Sequence, residues 1–187
     1  MIDDFEFTAL LAGARVGDDA AIESLFRALN PRLMRFLRAS EPRAADDVAG
    51  EVWMAVARGL AQFEGDAAGF RSWVFSIARR RIADHRRRGA RRNTVPVDTA
   101  TLEGVNADDD PEGETIEQLS GQEAAELIMA TLSADQAEVI LLRVLADLDV
   151  DDVAGIMGRS ANWVRVTQHR GLRRLADRLG SKIDVIL

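Results

Sequence analysis

The sequence predicts an all-α protein made of two small helical domains joined by a flexible acidic linker. Three observations predict it. Apolar residues recur at helical spacing in both halves of the chain, strand signals are almost absent, and a stretch without a single basic residue separates two arginine-rich segments.

In the first half, the spacing predicts a helix from just after Asp3 to near Val16. Asp18 is placed to cap a second, with Ile22, Leu25, Phe26, Leu29, Leu33 and Phe36 on one face and Pro31 positioned to kink it. A third helix runs from about Ala44 to Leu60. Its apolar residues Val48, Val52, Val56 and Leu60 repeat every fourth position, and Asp46, Asp47 and Glu51 lie off that stripe. A fourth helix starts near Phe70 and continues through Arg88, with Phe70, Trp73, Val74, Ile77, Ala78 and Ile82 on its apolar side.

The second half reads as four more helices. The first covers about Gln122 to Thr131. The next opens with Ser133-Ala134-Asp135-Gln136, a capping-box pattern, and continues to about Ala146. Asp149 can cap a short third one, and Gly158 suits the left-handed position that ends it. The last runs from Asn162 to about Leu179, with Trp163, Val164, Leu172, Leu175 and Leu179 available to a core and Arg165, His169, Arg170, Arg173 and Arg174 outside. A short helix, a Gly-containing turn and a basic second helix form a helix-turn-helix signature. Arg165, His169 or Arg170 can then reach base edges or phosphates in a major groove.

Charge divides the chain further. The 187 residues carry 31 acidic and 24 basic side chains, a net charge of −7, and all but one of the basic residues are Arg. Between Asn93 and Leu142 there are twelve acidic residues and no basic one; the rest of the chain has 24 basic against 19 acidic. Arg79 to Arg92 holds eight Arg against Asp84, and Arg159 to Arg178 holds six against Asp177. Two basic segments with an acidic connector fit two contacts with one polyanion. The connector, about 89–121, contains Pro96, Pro111 and the run Asp108-Asp109-Asp110, without sustained apolar periodicity. A coil of this length averages roughly 30 Å end to end. Fully stretched it reaches about 100 Å.

Several function classes are disfavoured. The chain has no Cys and no Tyr, and its two His, His85 and His169, lie among arginines. Disulfides and thiolate metal sites are excluded, and no Ser-His-Asp grouping, phosphate-cradling Gly loop or metal-ligand cluster is evident. A catalyst is not expected, nor is a cofactor. The acidic start Met1-Ile2-Asp3-Asp4 is no secretory signal, and the longest apolar stretch, Val139 to Leu148, is interrupted by Arg143 and Asp147. The expectation is a cytoplasmic protein without membrane insertion.

Two blocks resemble the extracytoplasmic-function (ECF) sigma factors of the sigma-70 family. The first is Ala45-Asp46-Asp47-Val48-Ala49-Gly50-Glu51-Val52-Trp53, continuing through Phe70-Arg71-Ser72-Trp73-Val74-Phe75-Ser76-Ile77-Ala78-Arg79 to Asp84-His85-Arg86-Arg87. It is similar to sigma region 2. The second is Leu132 through Arg143 and then Asp149 through Leu175, including Val164-Arg165-Val166-Thr167-Gln168-His169-Arg170-Gly171-Leu172-Arg173-Arg174-Leu175. It is similar to region 4. The resemblance implies region 2 over 1–88, a linker over 89–121 and region 4 over 122–187.

What it implies functionally is a promoter-specificity subunit of RNA polymerase; the alternative is a stand-alone helix-turn-helix regulator that binds duplex DNA, against which the Ala44–Arg88 block argues, since such a regulator needs no second, DNA-melting domain. Region 4 would read the −35 element as duplex, through Arg159, Ser160, Asn162, Trp163, Arg165, Val166, His169, Arg170, Arg173 and Arg174. Region 2 would melt the −10 element and hold unpaired bases, through Arg71, Arg79, Arg80, Asp84, Arg87 and Arg88, with Arg81 and Arg86 adding charge. The segment Phe63 to Arg71 resembles the loop that shapes the base pocket. Asp46, Asp47, Gly50, Glu51 and Met54 lie on the helix similar to the one that binds the β′ clamp helices of core polymerase, with the β flap as second contact. A linker of this length spans promoter elements roughly 35–70 Å apart. Many relatives are held by an anti-sigma factor; with no Cys, this chain cannot itself sense oxidants by thiol chemistry.

The sequence departs from the family pattern at four positions. Gly50 stands where many relatives carry Gln, and Arg80 where Asn is common. Asp149 replaces the usual Ser or Thr cap. Trp163 opens the recognition helix where a smaller residue is usual, with an inward or a DNA-facing placement both open.

Overall fold

A computed structural model of the chain describes residues 4–93 and 121–179, which hold eight α-helices and no strand. Most of the expected connector of 89–121, its residues 94–120, and the apolar end Ile183 to Leu187 lie outside the described residues.

Helices α1 (Asp4–Arg15) and α2 (Asp19–Ser40) form an antiparallel hairpin. Gly17 supplies a φ of +86° in the turn. Asp18 then caps α2, its carboxylate accepting from the N–H groups of Ala20 (2.9 Å) and Ala21 (3.3 Å). α2 runs on through the exposed Pro31, because Leu25, Leu29, Leu33, Phe36 and Leu37 form one buried stripe on both sides of it. Each such side chain stabilises the fold by about 1.5–3 kcal/mol on burial. Spacing also assigns Ile22 and Phe26 to this face, but they are 39% and 40% exposed. They flank the stripe, and Phe26 packs on Trp53 of the next helix with ring centroids 4.8 Å apart.

Helix α3 (Ala45–Gly59) lies between two 3₁₀ turns, Pro42–Ala44 and Leu60–Gln62. Val48, Val52, Val56 and Leu60 are buried, as the four-residue repeat requires. α4 (Ala67–Asn93) starts three residues earlier than the apolar spacing suggests, because Asp66 accepts the Gly69 N–H at 2.8 Å and organises its first turn. It also runs past Arg88, through Gly89, to Asn93. Gly89 weakens a helix by about 1 kcal/mol relative to Ala but does not stop it.

In the second half, α5 (Gly121–Thr131) leads to the capping box at α6 (Ala134–Val144): the Gln136 N–H donates to Ser133 Oγ at 3.4 Å and the Ser133 N–H to Gln136 Oε1 at 3.2 Å. α7 (Val150–Met157) ends at Gly158, whose φ is +63°, with the Arg159 N–H donating to the Ala154 carbonyl at 2.9 Å. Asp149 occupies the cap position of α7, but its side chain makes no capping hydrogen bond; it lies 3.9 Å from Arg143 instead. α8 (Ala161–Leu179) buries Val164, Gly171 and Leu175. Gly171 permits the close approach to α6: a Cβ there would sit 2.8 Å from Ile140 Cδ1. Leu172, read from sequence as core, is 45% exposed because it lies about 100° around the helix from Gly171. The Leu179 side chain lies outside the described residues.

The two halves pack on each other. α2 meets α5 and α6, α4 meets α7, and one apolar cluster runs through both. Two ion pairs cross the seam, Arg79 with Glu138 at 2.9 Å and Arg32 with Asp147 at 3.2 Å.

Candidate nucleic-acid interface

The helix-turn-helix is built from α7, the turn Gly158-Arg159-Ser160 and α8. Ser160 Oγ accepts the Trp163 N–H at 3.2 Å, which starts α8. Trp163 is half-buried and packs against the core, with the Arg159 guanidinium 5.3 Å from its ring centroid. Its indole therefore belongs mainly to the fold. Asn162, Arg165, Val166, His169, Arg170, Arg173 and Arg174 are exposed, as are Arg159 and Ser160. They make one solvent-facing basic surface on a helix whose other side is fixed by Val164, Gly171 and Leu175.

Arg143 holds this unit together, a role the sequence reading did not assign. Its guanidinium donates to the Leu148 carbonyl and, at 3.4 Å, to Gln168 Oε1 of α8. It thereby ties α6, the turn before α7 and α8 to one another.

The second basic surface lies on α4. Arg80, Arg87 and Arg88 are exposed, while Arg71, Arg79 and Asp84 are half-buried. Asp84 is hydrogen-bonded to Arg87, and that bond, helped by the charges of Arg81 and Arg88, holds its carboxyl below the ordinary range. Arg71 lies over Phe7 at 5.6 Å. Arg79 faces the other half of the chain: its Nε and Nη2 donate to Glu138 at 2.9 and 3.4 Å, and its Nη1 to the Ile156 carbonyl at 3.4 Å.

Between α3 and α4, Phe63-Glu64-Gly65-Asp66 form a short loop beside an aromatic cluster. Phe63 stacks on Trp73 with centroids 5.1 Å apart and meets Phe70 edge-on at 5.4 Å. Trp73 packs against the core, as its helical spacing suggests. Arg15, at the end of α1, lies over the Phe63 ring and donates to the Gly65 carbonyl.

On α3, Asp46, Asp47 and Gly50 are exposed and Met54 is 55% exposed. Glu51 is half-buried and paired with Arg88 at 3.1 Å and Arg81 at 3.8 Å. Trp53 donates its indole N–H to Asn30 at 3.0 Å, so it is anchored within the fold.

The geometry therefore presents two basic helical surfaces and one acidic helix. Sigma-70 region 2 matches residues 25–92 and Sigma-70 region 4 matches residues 122–175. The ECF RNA polymerase sigma factor SigD of Mycobacterium tuberculosis is 33% identical over 177 residues, covering 91% of this chain and 82% of the relative. The chain belongs to the ECF sigma factors. It is an RNA polymerase sigma factor, which works with core polymerase at promoter DNA. The same fold is found in two solved structures. CnrH in complex with the cytosolic domain of CnrY superposes with a TM-score of 0.67 at 21% identity, covering 94% of this chain and 97% of that one. The sigma factor RpoE of Bartonella quintana, in complex with the anti-sigma factor NepR, gives 0.66 at 22%, covering 86% and 98%. Among the described residues, no helix of this sigma factor is long and apolar enough to cross a membrane.

Proposed function

We propose that the two basic surfaces divide promoter reading between them. α8 enters the major groove of the −35 element, with Arg165, His169 and Arg170 toward the bases and Arg159, Asn162, Arg173 and Arg174 toward phosphates. The Arg-rich face of α4 neutralises the backbone of the −10 element while an unpaired base is received beside the 63–66 loop. The single observation that carries this reading is the pair of exposed arginine surfaces on two separate helices, one of them the second helix of a helix-turn-helix.

Asp46, Asp47, Gly50, Glu51 and Met54 on α3 form the contact for the β′ clamp helices, and the 122–187 half carries the contact for the β flap. No step in this scheme asks for a catalytic group or a cofactor. The protein acts in the cytoplasm, with the polymerase. An anti-sigma factor holds it inactive; this rests on the two structural relatives, each of which is described in complex with a second protein, one of them the anti-sigma factor NepR.

Reversal of Asp47 and Glu51 to Lys tests the polymerase contact. The double variant should lose most of its capture by core enzyme in a pull-down while still folding. Undiminished capture would remove α3 from the contact.

A further inference from the structure

We propose that Arg15 is a positioning residue for −10 recognition: it holds the 63–66 loop in the shape that receives the unpaired base. The proposal rests on the reading above, that this loop lies beside the captured base.

The loop is only four residues long, Phe63 to Asp66, between the Leu60–Gln62 turn and α4. Its two ends are fixed from within the same half. Phe63 is stacked on Trp73, and Asp66 is committed to the Gly69 N–H. Glu64 and Gly65 between them are exposed. Glycine adds conformational freedom at the point where a ligand pocket needs a fixed wall. Arg15 supplies the constraint from fifty positions earlier in the chain. Its Nη2 donates to the Gly65 carbonyl at 2.6 Å, and its Cζ sits 5.4 Å from the Phe63 ring centroid. One planar group thus sets both a backbone carbonyl and an aromatic ring. A guanidinium suits both contacts at once, because its planar, pre-organised fork can donate and stack together, whereas an ammonium on a flexible stem fixes neither as firmly.

Gly65 fits the same arrangement. A Cβ at that position would come within 2.7 Å of Phe63 Cζ. The ring and the Gly65 backbone are therefore in close register, and a side chain there would displace the ring that Arg15 covers. The guanidinium is already engaged with the loop, so it acts through the loop rather than on DNA. Ordering the loop before the base arrives removes that ordering cost from the capture step.

The test uses the full chain assembled with core polymerase and a forked promoter probe with a single-stranded −10 element. A fluorescent base analogue at the captured position reports binding, and all four natural bases are compared there in competition. Arg15→Ala should weaken capture about tenfold, the scale of one charge-assisted hydrogen bond, and should flatten the preference among the four bases. Core affinity, duplex −35 binding and Tm should stay close to those of the parent. Arg15→Lys should restore part of the affinity, because it can still donate to the carbonyl. Gly65→Ala should reproduce the Arg15→Ala base profile, and the double variant should be less than additive. The proposal is overturned if Arg15→Ala lowers Tm and all binding modes together, or if affinity falls with base preference intact and the salt slope reduced by about one, the mark of a direct phosphate contact. Phe63→Ala separates the two levels. If it and Gly65→Ala leave capture unchanged, the loop does not receive the base and the underlying reading fails. If they impair capture while Arg15→Ala does not, only the role of Arg15 fails.

Discussion

Replacing Glu138 with Gln should make this sigma factor bind core polymerase more tightly. Arg79 of α4 is held by Glu138 of α6 in a two-point ion pair, at 2.9 and 3.4 Å, across the seam between the halves. On the proposed division of promoter reading, two domains that read elements roughly 35–70 Å apart cannot keep two of their helices at hydrogen-bonding distance. The packed arrangement must open, and the pair opposes opening. The partners are 38% and 28% exposed, so water and salt screen the attraction. A pair of this exposure contributes about 1 kcal/mol at most, even with its good geometry. Gln keeps the shape but removes the charge. The separated population should then rise by up to about fivefold and, if core polymerase takes up the separated arrangement, apparent core affinity should rise with it. Titration of labelled protein with core enzyme at low salt measures this, and raising the salt should shrink the difference. A Glu138→Gln variant that binds core no more tightly than the parent at low salt would show that the Arg79–Glu138 pair does not restrain core binding.

Two further outcomes follow from the recognition half. Arg165→Ala with Arg170→Ala should weaken duplex −35 binding by roughly 1–3 kcal/mol for each arginine that pairs with a base edge, with core binding intact; unchanged promoter affinity in a gel-shift titration would remove α8 from base reading. Gly158→Ala should destabilise the fold by about 1–2 kcal/mol, because the residue sits at a φ of +63°. An unshifted midpoint on urea denaturation would contradict that.

Local chemistry explains which parts of the fold were legible in the sequence. Asp18, the Ser133–Gln136 box and Gly158 act within a turn of their own helices, so their roles could be read from neighbouring residues. The same holds for Val48, Val52 and Val56, which share one stripe at a fixed spacing. Periodicity is blunter at the margins of a stripe. Ile22, Phe26 and Leu172 lie one step around the helix from buried positions, and only the outline of the packed neighbour decides their exposure. Asp149 illustrates a related limit: the residue type suits a cap, but a nearby Arg143 draws on the same carboxylate.

The candidate site divides in the same way. That α8 and α4 carry exposed arginines follows from composition and spacing, and their assignment to promoter elements from the family resemblance. The supporting residues were invisible because their partners are distant in sequence. Arg15 acts on a carbonyl fifty positions away, Arg143 on a side chain 25 away, and Arg79 on one 59 away. Nothing in a local window distinguishes such arginines from solvated ones.

The most direct measurement is run-off transcription with purified core RNA polymerase and the DNA upstream of this gene, with core binding read in the same preparation. A discrete transcript that requires the protein and disappears with Arg165→Ala/Arg170→Ala is expected. No transcript and no core binding, from a preparation that still binds duplex DNA, would contradict that expectation.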